Sequence, residues 1–526
     1  MSEHKSGLPI FYLLLSFIIL FILSFSGISK ILAFFKSGAD PKQILMLGTE
    51  VVNDYYQPVV KWEYPYYNKG RPMETATLKK ISRDYVASFY HQFQALKSGN
   101  PKGLHDYFTE KPREHMKQLV AWHYDKKQLV SGTTISHHPR LDYYSEDGTI
   151  ASLTDQVISY QIQSYPDRPA HRFYDTSDYR VMLLLEDNFW RVRHKVKGTF
   201  LDWRSRPLSS DTIKKVRISK GKLLVEDQPF YMKGINYYPQ SHPWQEMWES
   251  FDSIDFEQDF QLLRSMGFNT IRIFVPFKDF GGAQVKGEAI ADLLQLMNMA
   301  DACNLMVVVT LFDFFLGYPV EEWTLSDRHA EKVTKAVRHH PALLAWDLKN
   351  EPDLDFEQSG EEEVKAWLQF MAKRIKQFDP STPITVGWSQ PEQLENLKEE
   401  LDLLSFHFYR DPKELATFMK EKRYEKPLFL GETGSHSFSK WWYPFSRDAE
   451  EQMVYYQQIA DIISRYRLNY AFWTLYDFVH VPSNVAGRMP WKKGPQKAYG
   501  LIDPKNQRKP TFQFMKDFNN RNPSTQ

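Results

Sequence analysis

The chain has 526 residues, about three and a half units at roughly 150 residues per domain, which excludes a peptide or a single small module. Its 66 Lys and Arg against 65 Asp and Glu leave a formal charge of +1, so there is no global field for nucleic acid. One cysteine, Cys303, rules out an internal disulfide and a Cys-based zinc cage.

From Leu8 to Ser26 nineteen residues run without a charge. At about 1.5 Å per helical residue this nearly crosses a hydrocarbon core of about 30 Å. The run is apolar all round, unlike a buried helix with a polar face, and predicts one transmembrane helix within residues 1–36. A cleavable signal peptide is the competing reading, with Ser24-Phe25-Ser26 before Gly27 as a small-x-small site. Lys5 precedes the span and Lys30 and Lys36 follow it, so charge does not set the orientation.

Residues 37–74, with Pro41, Pro58, Pro65 and Pro72, read as a linker with little structure. Leu78, Ile81, Tyr85, Phe89 and Phe93 then fall on one helical face, and a second helix is expected over Lys111 to Tyr124. From Gln128 to Lys197 the pattern changes to strand alternation. Helices followed by an antiparallel sheet predict a small α+β domain over residues 45–210. Its layout resembles the cone-shaped NTF2-like domains. His137-His138 are expected at the surface, since neighbouring strand residues point to opposite faces and cannot easily chelate one ion.

A hairpin is expected from Val216, and beyond it short apolar runs alternate with helical stretches. The runs are Tyr231–Tyr238, Thr270–Val275, Leu305–Phe312, Ala342–Leu348, Ile384–Trp388, Leu403–Tyr409, Pro427–Gly431 and Asn469–Tyr476. Eight strand-then-helix units over residues 216–522 predict an α/β fold, a (β/α)8 TIM barrel. An open doubly wound sheet would carry a glycine-rich phosphate loop after its first strand, and Gly234-Ile-Asn-Tyr-Tyr is not one.

Residues at the carboxyl ends of barrel strands face the active site. Read in order these are Asn236, Arg272, Asp313, Asn350-Glu351, His407 with Tyr409, Glu432 and Trp473. Two glutamates among hydrogen bonders and a tryptophan are the minimum equipment for glycoside hydrolysis: one carboxylate attacks or activates water, the other donates a proton to the leaving oxygen. An aromatic content of 15 % suits a sugar-stacking cleft. Trp388, Trp441, Trp442 and Trp491 are candidates for outer sugar subsites. Asp313 has no assigned role, and Asp347, read as out of step with Glu351, is expected to support packing. No metal motif is visible, and the chemistry needs neither metal nor cofactor.

Trp346-Asp-Leu-Lys-Asn-Glu-Pro352 and Leu428-Phe-Leu-Gly-Glu-Thr-Gly434 resemble the fourth- and seventh-strand motifs of clan A glycoside hydrolases. Lys233-Gly-Ile-Asn-Tyr-Tyr-Pro239 resembles the first strand of cellulase-, β-mannanase- and β-galactosidase-type members. Gly267-Phe-Asn-Thr-Ile-Arg-Ile273, His407-Phe-Tyr409 and Phe472-Trp473 are similar to the second, sixth and eighth. The resemblance covers roughly Val216 to Asn519 and none of the first 210 residues. The chain departs from the pattern at the end of the third strand, where several members have a histidine and this chain has Phe312-Asp313.

The resemblance implies a retaining glycosidase, with Glu432 as nucleophile held by Arg272. Glu351 would be the acid/base, its proton retained because of the negative charge of Glu432 across the cleft. It further implies that Asn350 bonds the sugar 2-hydroxyl, that Tyr409 orients Glu432 with His407 on the same wall, and that Trp473 floors the cleaved position. Asn236 and Arg272 complete the expected substrate-binding set. The expected partner is an extracytoplasmic poly- or oligosaccharide, with the membrane engaged through the N-terminal helix and no nucleic acid. Residues 45–210 would space the barrel or contact a protein or ligand. A transglycosidase remodelling a surface polymer and a dead carbohydrate-binding scaffold are the alternatives.

Overall fold

The computed structural model describes residues 55–63, 73–167, 169–198, 216–251, 253–486 and 489–521. The apolar run from Leu8 to Ser26 lies outside them. Among the described residues no helix is long and apolar enough to cross a membrane.

The N-terminal unit is a five-stranded sheet with a helical layer. In the strand order β1-β2-β3-β4-β5, β1 is Val59–Val60, β2 Leu129–Tyr144, β3 Ile150–Ser164, β4 His171–Glu186 and β5 Phe189–Gly198. The helix Thr75–Ser98 buries Leu78, Ile81, Tyr85, Phe89 and Phe93, the stripe expected from spacing, and Ile81, Tyr85, Phe89 and Phe93 share one core with Leu141, Leu153, Val157 and Val181 of the sheet. Gly99 ends that helix at φ 72, a left-handed position that spares a glycine the Cβ penalty. Two expectations fail here. The stretch read as linker supplies β1, which pairs in parallel with Ser136 and His137 of β2. His137 is fully buried, not at the surface: a bulge at Thr134/Ser136 alters the register, and Asp155 and Thr134 satisfy both ring nitrogens at 2.7 and 2.8 Å.

After a three-stranded meander of β6 (Val216–Ser219), β7 (Lys222–Val225) and β8 (Gln228–Pro229), eight parallel strands close into a barrel. They are β9 Lys233–Asn236, β10 Thr270–Pro276, β11 Met306–Asp313, β12 Leu343–Asn350, β13 Ile384–Trp388, β14 Leu404–Phe408, β15 Leu428–Thr433 and β16 Asn469–Trp473, with β16 pairing back onto β9. Their near-continuous apolar sequences follow from burial on both faces, by side chains inside and helices outside. The crossover from β13 to β14 departs from the expected repeat, using a 3-10 turn at Pro391–Glu395 where a helix was expected.

Val216 and Leu223 of the meander pack with Met232, Val308, Leu344, Leu403 and Phe429 at the amino-terminal end of the barrel. That end is sealed, so the chemistry is confined to the opposite mouth. The two units also pack on each other. Tyr160 of β3 lies against Trp323 and Phe370 of the barrel helices, with ring centroids 4.4 and 5.8 Å away. Arg172 reaches Glu362 at 2.6 Å.

Candidate active site

The strand ends bring the expected residues together around a buried guanidinium. Arg272, on β10, is fully buried and has every donor engaged. Its Nε and Nη2 donate to Oδ2 of Asp347 at 2.9 and 2.6 Å, and Nη2 also donates to Oδ1 of Asn350 at 2.9 Å. Its Nη1 donates to Oδ1 of Asn236 at 2.9 Å and to Oε1 of Glu432 at 2.6 Å. The other carboxylate oxygen of Glu432 accepts from the Tyr409 hydroxyl at 2.8 Å. Bonds of this kind to an ionised acceptor are short and about twice as strong as neutral ones. Glu432 is thus fixed at both oxygens.

Glu351 leaves β12 in the left-handed region, at φ 44 and ψ 51, which turns the chain sharply where the strand stops. Its amide donates to the Gly387 carbonyl at 2.7 Å, and its Oε1 lies 2.8 Å from Nδ1 of His407. The same Nδ1 is 3.6 Å from Oε2 of Glu432, so His407 bridges the two glutamates. Burial pushes the Glu351 carboxyl up to about 7, Asp353 adds to the rise, and Arg272 and Lys349 oppose it. The expectation that the charge of Glu432 would hold this proton therefore gives way to burial and Asp353, because Arg272 already meets that charge at 2.6 Å. Burial, with Arg272 nearby, lowers His407 to about 4, against the opposing pull of Glu432, so its ring is neutral at ordinary pH.

Trp473 closes one side, tilted against Trp244 at 6.4 Å and edge-on to Tyr238 at 6.1 Å. Tyr238 stacks on Phe274, and the Arg272 guanidinium lies over the same Phe274 ring, 4.7 Å from its centroid.

Four expected roles change. Asn236 has both ends of its amide taken up by the protein, Oδ1 by Arg272 and Nδ2 by the Gly431, Ala471 and Phe472 carbonyls, so it and Arg272 hold Glu432 and do not face a ligand. Trp388 is fully buried core and offers no outer subsite. Trp441, Trp442 and Trp491 are exposed. Asp347, expected to support packing, is the clamp of Arg272. A register shift between Asp347 and Asn350 breaks the two-residue alternation and lets Arg272 reach both side chains.

Asp313 also belongs to the site. It sits buried between Phe312 and Phe314, both at positive φ (55 and 57). Burial raises its carboxyl to about 7 against the pull of Lys349 and Arg272. Lys349 is buried as well and pairs with Asp355 at 3.2 Å. Gly387 is a steric requirement of the site: a Cβ there would stand 2.9 Å from Nε2 of His407 and 3.0 Å from Nη2 of Arg272.

Among the described residues, Glu351, His407 and Glu432 form a group whose potential metal-ligating atoms all lie within 4.8 Å of one another. The same arrangement brings a proton-holding carboxyl and a clamped carboxylate face to face, the pairing that splits a glycosidic bond.

Comparison with known proteins finds the following similarities. Residues 226–478 match the family model described as Cellulase (glycosyl hydrolase family 5). Human β-glucuronidase is 23% identical over 323 residues, covering 56% of this chain and 45% of that protein. Mouse β-glucuronidase is 22% identical over 248 residues, 42% of this chain and 34% of that protein. The chain thus spans less than half the length of these curated relatives. An exo-β-1,4-mannosidase from Opitutaceae bacterium strain TAV5 shares the fold, with a TM-score of 0.50 and 21% identity over 58% of this chain and 62% of that one. Residues 226–478 thus resemble the glycosyl hydrolases of family 5, on a barrel whose fold the mannosidase shares.

Proposed function

We propose that the barrel hydrolyses a β-glycosidic bond of a poly- or oligosaccharide by double displacement, with net retention at the anomeric carbon. The observation that carries this reading is the closeness of the two carboxylates, one oxygen of Glu351 lying within 4.8 Å of one oxygen of Glu432. Retaining enzymes hold their carboxyl groups about 5–5.5 Å apart, whereas inverting ones leave about 6.5–9.5 Å for a water.

Glu432 is the nucleophile. One of its oxygens attacks the anomeric carbon as the bond to the leaving oxygen breaks, and Glu351 transfers its proton to that oxygen. Glu351 then takes a proton from an incoming water, whose oxygen attacks the same carbon and releases Glu432. The neutral His407 ring, hydrogen-bonded to Glu351, keeps this acid aimed in both half-reactions. Asn350 has its Oδ1 engaged by Arg272, so its Nδ2 is the donor left for the sugar 2-hydroxyl. Trp473 stacks on the sugar. Proton NMR of the first-formed anomer tests the proposal: a β-configured product is expected, and an α-configured one overturns the role of Glu432.

We also propose that Leu8 to Ser26 holds the chain in a membrane with the barrel outside the cytoplasm. The uncharged length of that run and the polysaccharide-directed chemistry support it. Residues 45–210, with their NTF2-like order of helices before sheet, would then stand between membrane and barrel. Protease added to intact cells should digest the barrel, and full protection would refute this orientation.

A further inference from the structure

The loops after β15 and β16 frame the mouth, and their composition differs from the rest of the chain. Residues 434–447 and 478–502 contain no Asp or Glu, although the whole chain has 65. Their described residues include Lys440, Arg447, Lys492, Lys493 and Lys497. The same loops expose Trp441 by 97%, Phe445 by 71%, Val479 by 62%, Trp491 by 52% and Met489 by 50%.

The first loop is a built feature. The Arg447 amide donates to the Phe438 carbonyl at 3.1 Å, closing the loop, and the Lys440 amide donates to Oγ of Ser446 at 2.7 Å within it. Phe438 packs against Gly494 so closely that a Cβ there would meet its ring at 2.5 Å, and the Ser437 amide donates to the Ala498 carbonyl at 2.9 Å. The two loops are therefore clipped into one rim that holds apolar side chains in water.

We propose that this rim docks on an anionic lipid surface, so that the cleft meets substrates presented at a membrane. Two observations favour lipid over a polysaccharide strand. A sugar-stacking ring is backed by protein on one face, and a tryptophan that is 97% exposed has neither face backed. Val479 and Met489 carry no ring to stack at all. Aromatic and aliphatic side chains beside lysines, with no acidic residue within either loop and Glu246 alone reaching His480 from outside at 3.6 Å, are the chemistry that settles into a headgroup layer of negative charge. The proposal rests on the glycosidase reading only in what it delivers to the cleft.

The test uses the full chain with Phe445→Cys in a Cys303→Ser background, labelled at position 445 with an environment-sensitive fluorophore. The labelled protein is placed in nanodiscs of phosphatidylcholine with and without phosphatidylserine, and in detergent. A blue shift on the anionic discs, reduced by added salt and by Lys492→Glu with Lys493→Glu, is the expected result. Identical spectra on both discs overturn the proposal. So does a shift produced by soluble polygalacturonate without lipid, which would give the rim to an anionic polymer. Hydrolysis of a small aryl β-glycoside by the same labelled protein should equal that of the parent. Its absence in both would count against the glycosidase reading and leave the lipid result intact.

Discussion

Oδ2 of Asp347 receives both Nε and Nη2 of Arg272, at 2.9 and 2.6 Å, and this pairing aims Nη1 at Glu432. Removing one partner of a buried ion pair costs about 3–5 kcal/mol because the other charge is left uncompensated. Asp347→Ala should therefore lower stability by about that amount, read by denaturant titration. Asp347→Asn keeps the shape and loses the charge. It should lower kcat by about 10²-fold while KM stays near the parent value, the signature of a residue acting through Glu432.

Glu432→Ala should reduce turnover by roughly 10⁴-fold or more, as removal of a nucleophile does. Azide added to that variant should restore part of it and yield a glycosyl azide of inverted configuration, identified by mass and NMR. A variant with near-parental turnover would remove Glu432 from the reaction.

Glu351 has its carboxyl raised to about 7, so the acid form is populated below that pH and lost above it. The kcat/KM of the free enzyme should hold level on the acid side of pH 7 and fall about tenfold per pH unit beyond it. Glu351→Gln should lose this alkaline limb. It should also retain more of its first step on aryl glycosides with good leaving groups, which need little protonation, as pre-steady-state release of the phenol would record.

Burial raises Asp313 from 3.8 to about 7. A carboxyl raised in the folded state contributes its stability below the unfolded value, and loses it as pH climbs through about 7. Asp313→Asn removes the ionisation. The variant should therefore gain on the parent as pH rises from 5 to 8, by about 2–3 kcal/mol, in paired melting curves.

Gly387→Ala should leave the barrel folded and lower kcat by about 10²-fold, since the new methyl displaces His407 and Arg272 together. Circular dichroism and a kinetic assay on one preparation would separate the two effects.

The barrel was legible because parallel strands, buried on both faces, leave apolar runs that strand-length counting can find. Each of the eight runs overlaps a strand, and Glu351, His407, Glu432 and Trp473 follow from the rule that strand ends face the mouth. What could not be read was the use of each polar group. Asn236 and Arg272 look like ligand binders from their position, and only the closed set of hydrogen bonds shows them engaged with protein. The role of Asp347 was not legible from spacing, because a register shift between Asp347 and Asn350 breaks the alternation. Nor was the burial of His137, because a bulge in β2 shifts which residues face inward. The helix expected between β13 and β14 gives way to a turn beginning at Pro391, a residue suited to start a turn but equally suited to start a helix.

The packing of Tyr160 onto Trp323 and Phe370 bears on how the protein can be cut. A fragment beginning at the meander would strip that ring away and leave an oily scar on the flank of the barrel. Such a fragment should clump at concentrations the whole chain tolerates, so the two halves are better handled as one object than as enzyme and dispensable stalk.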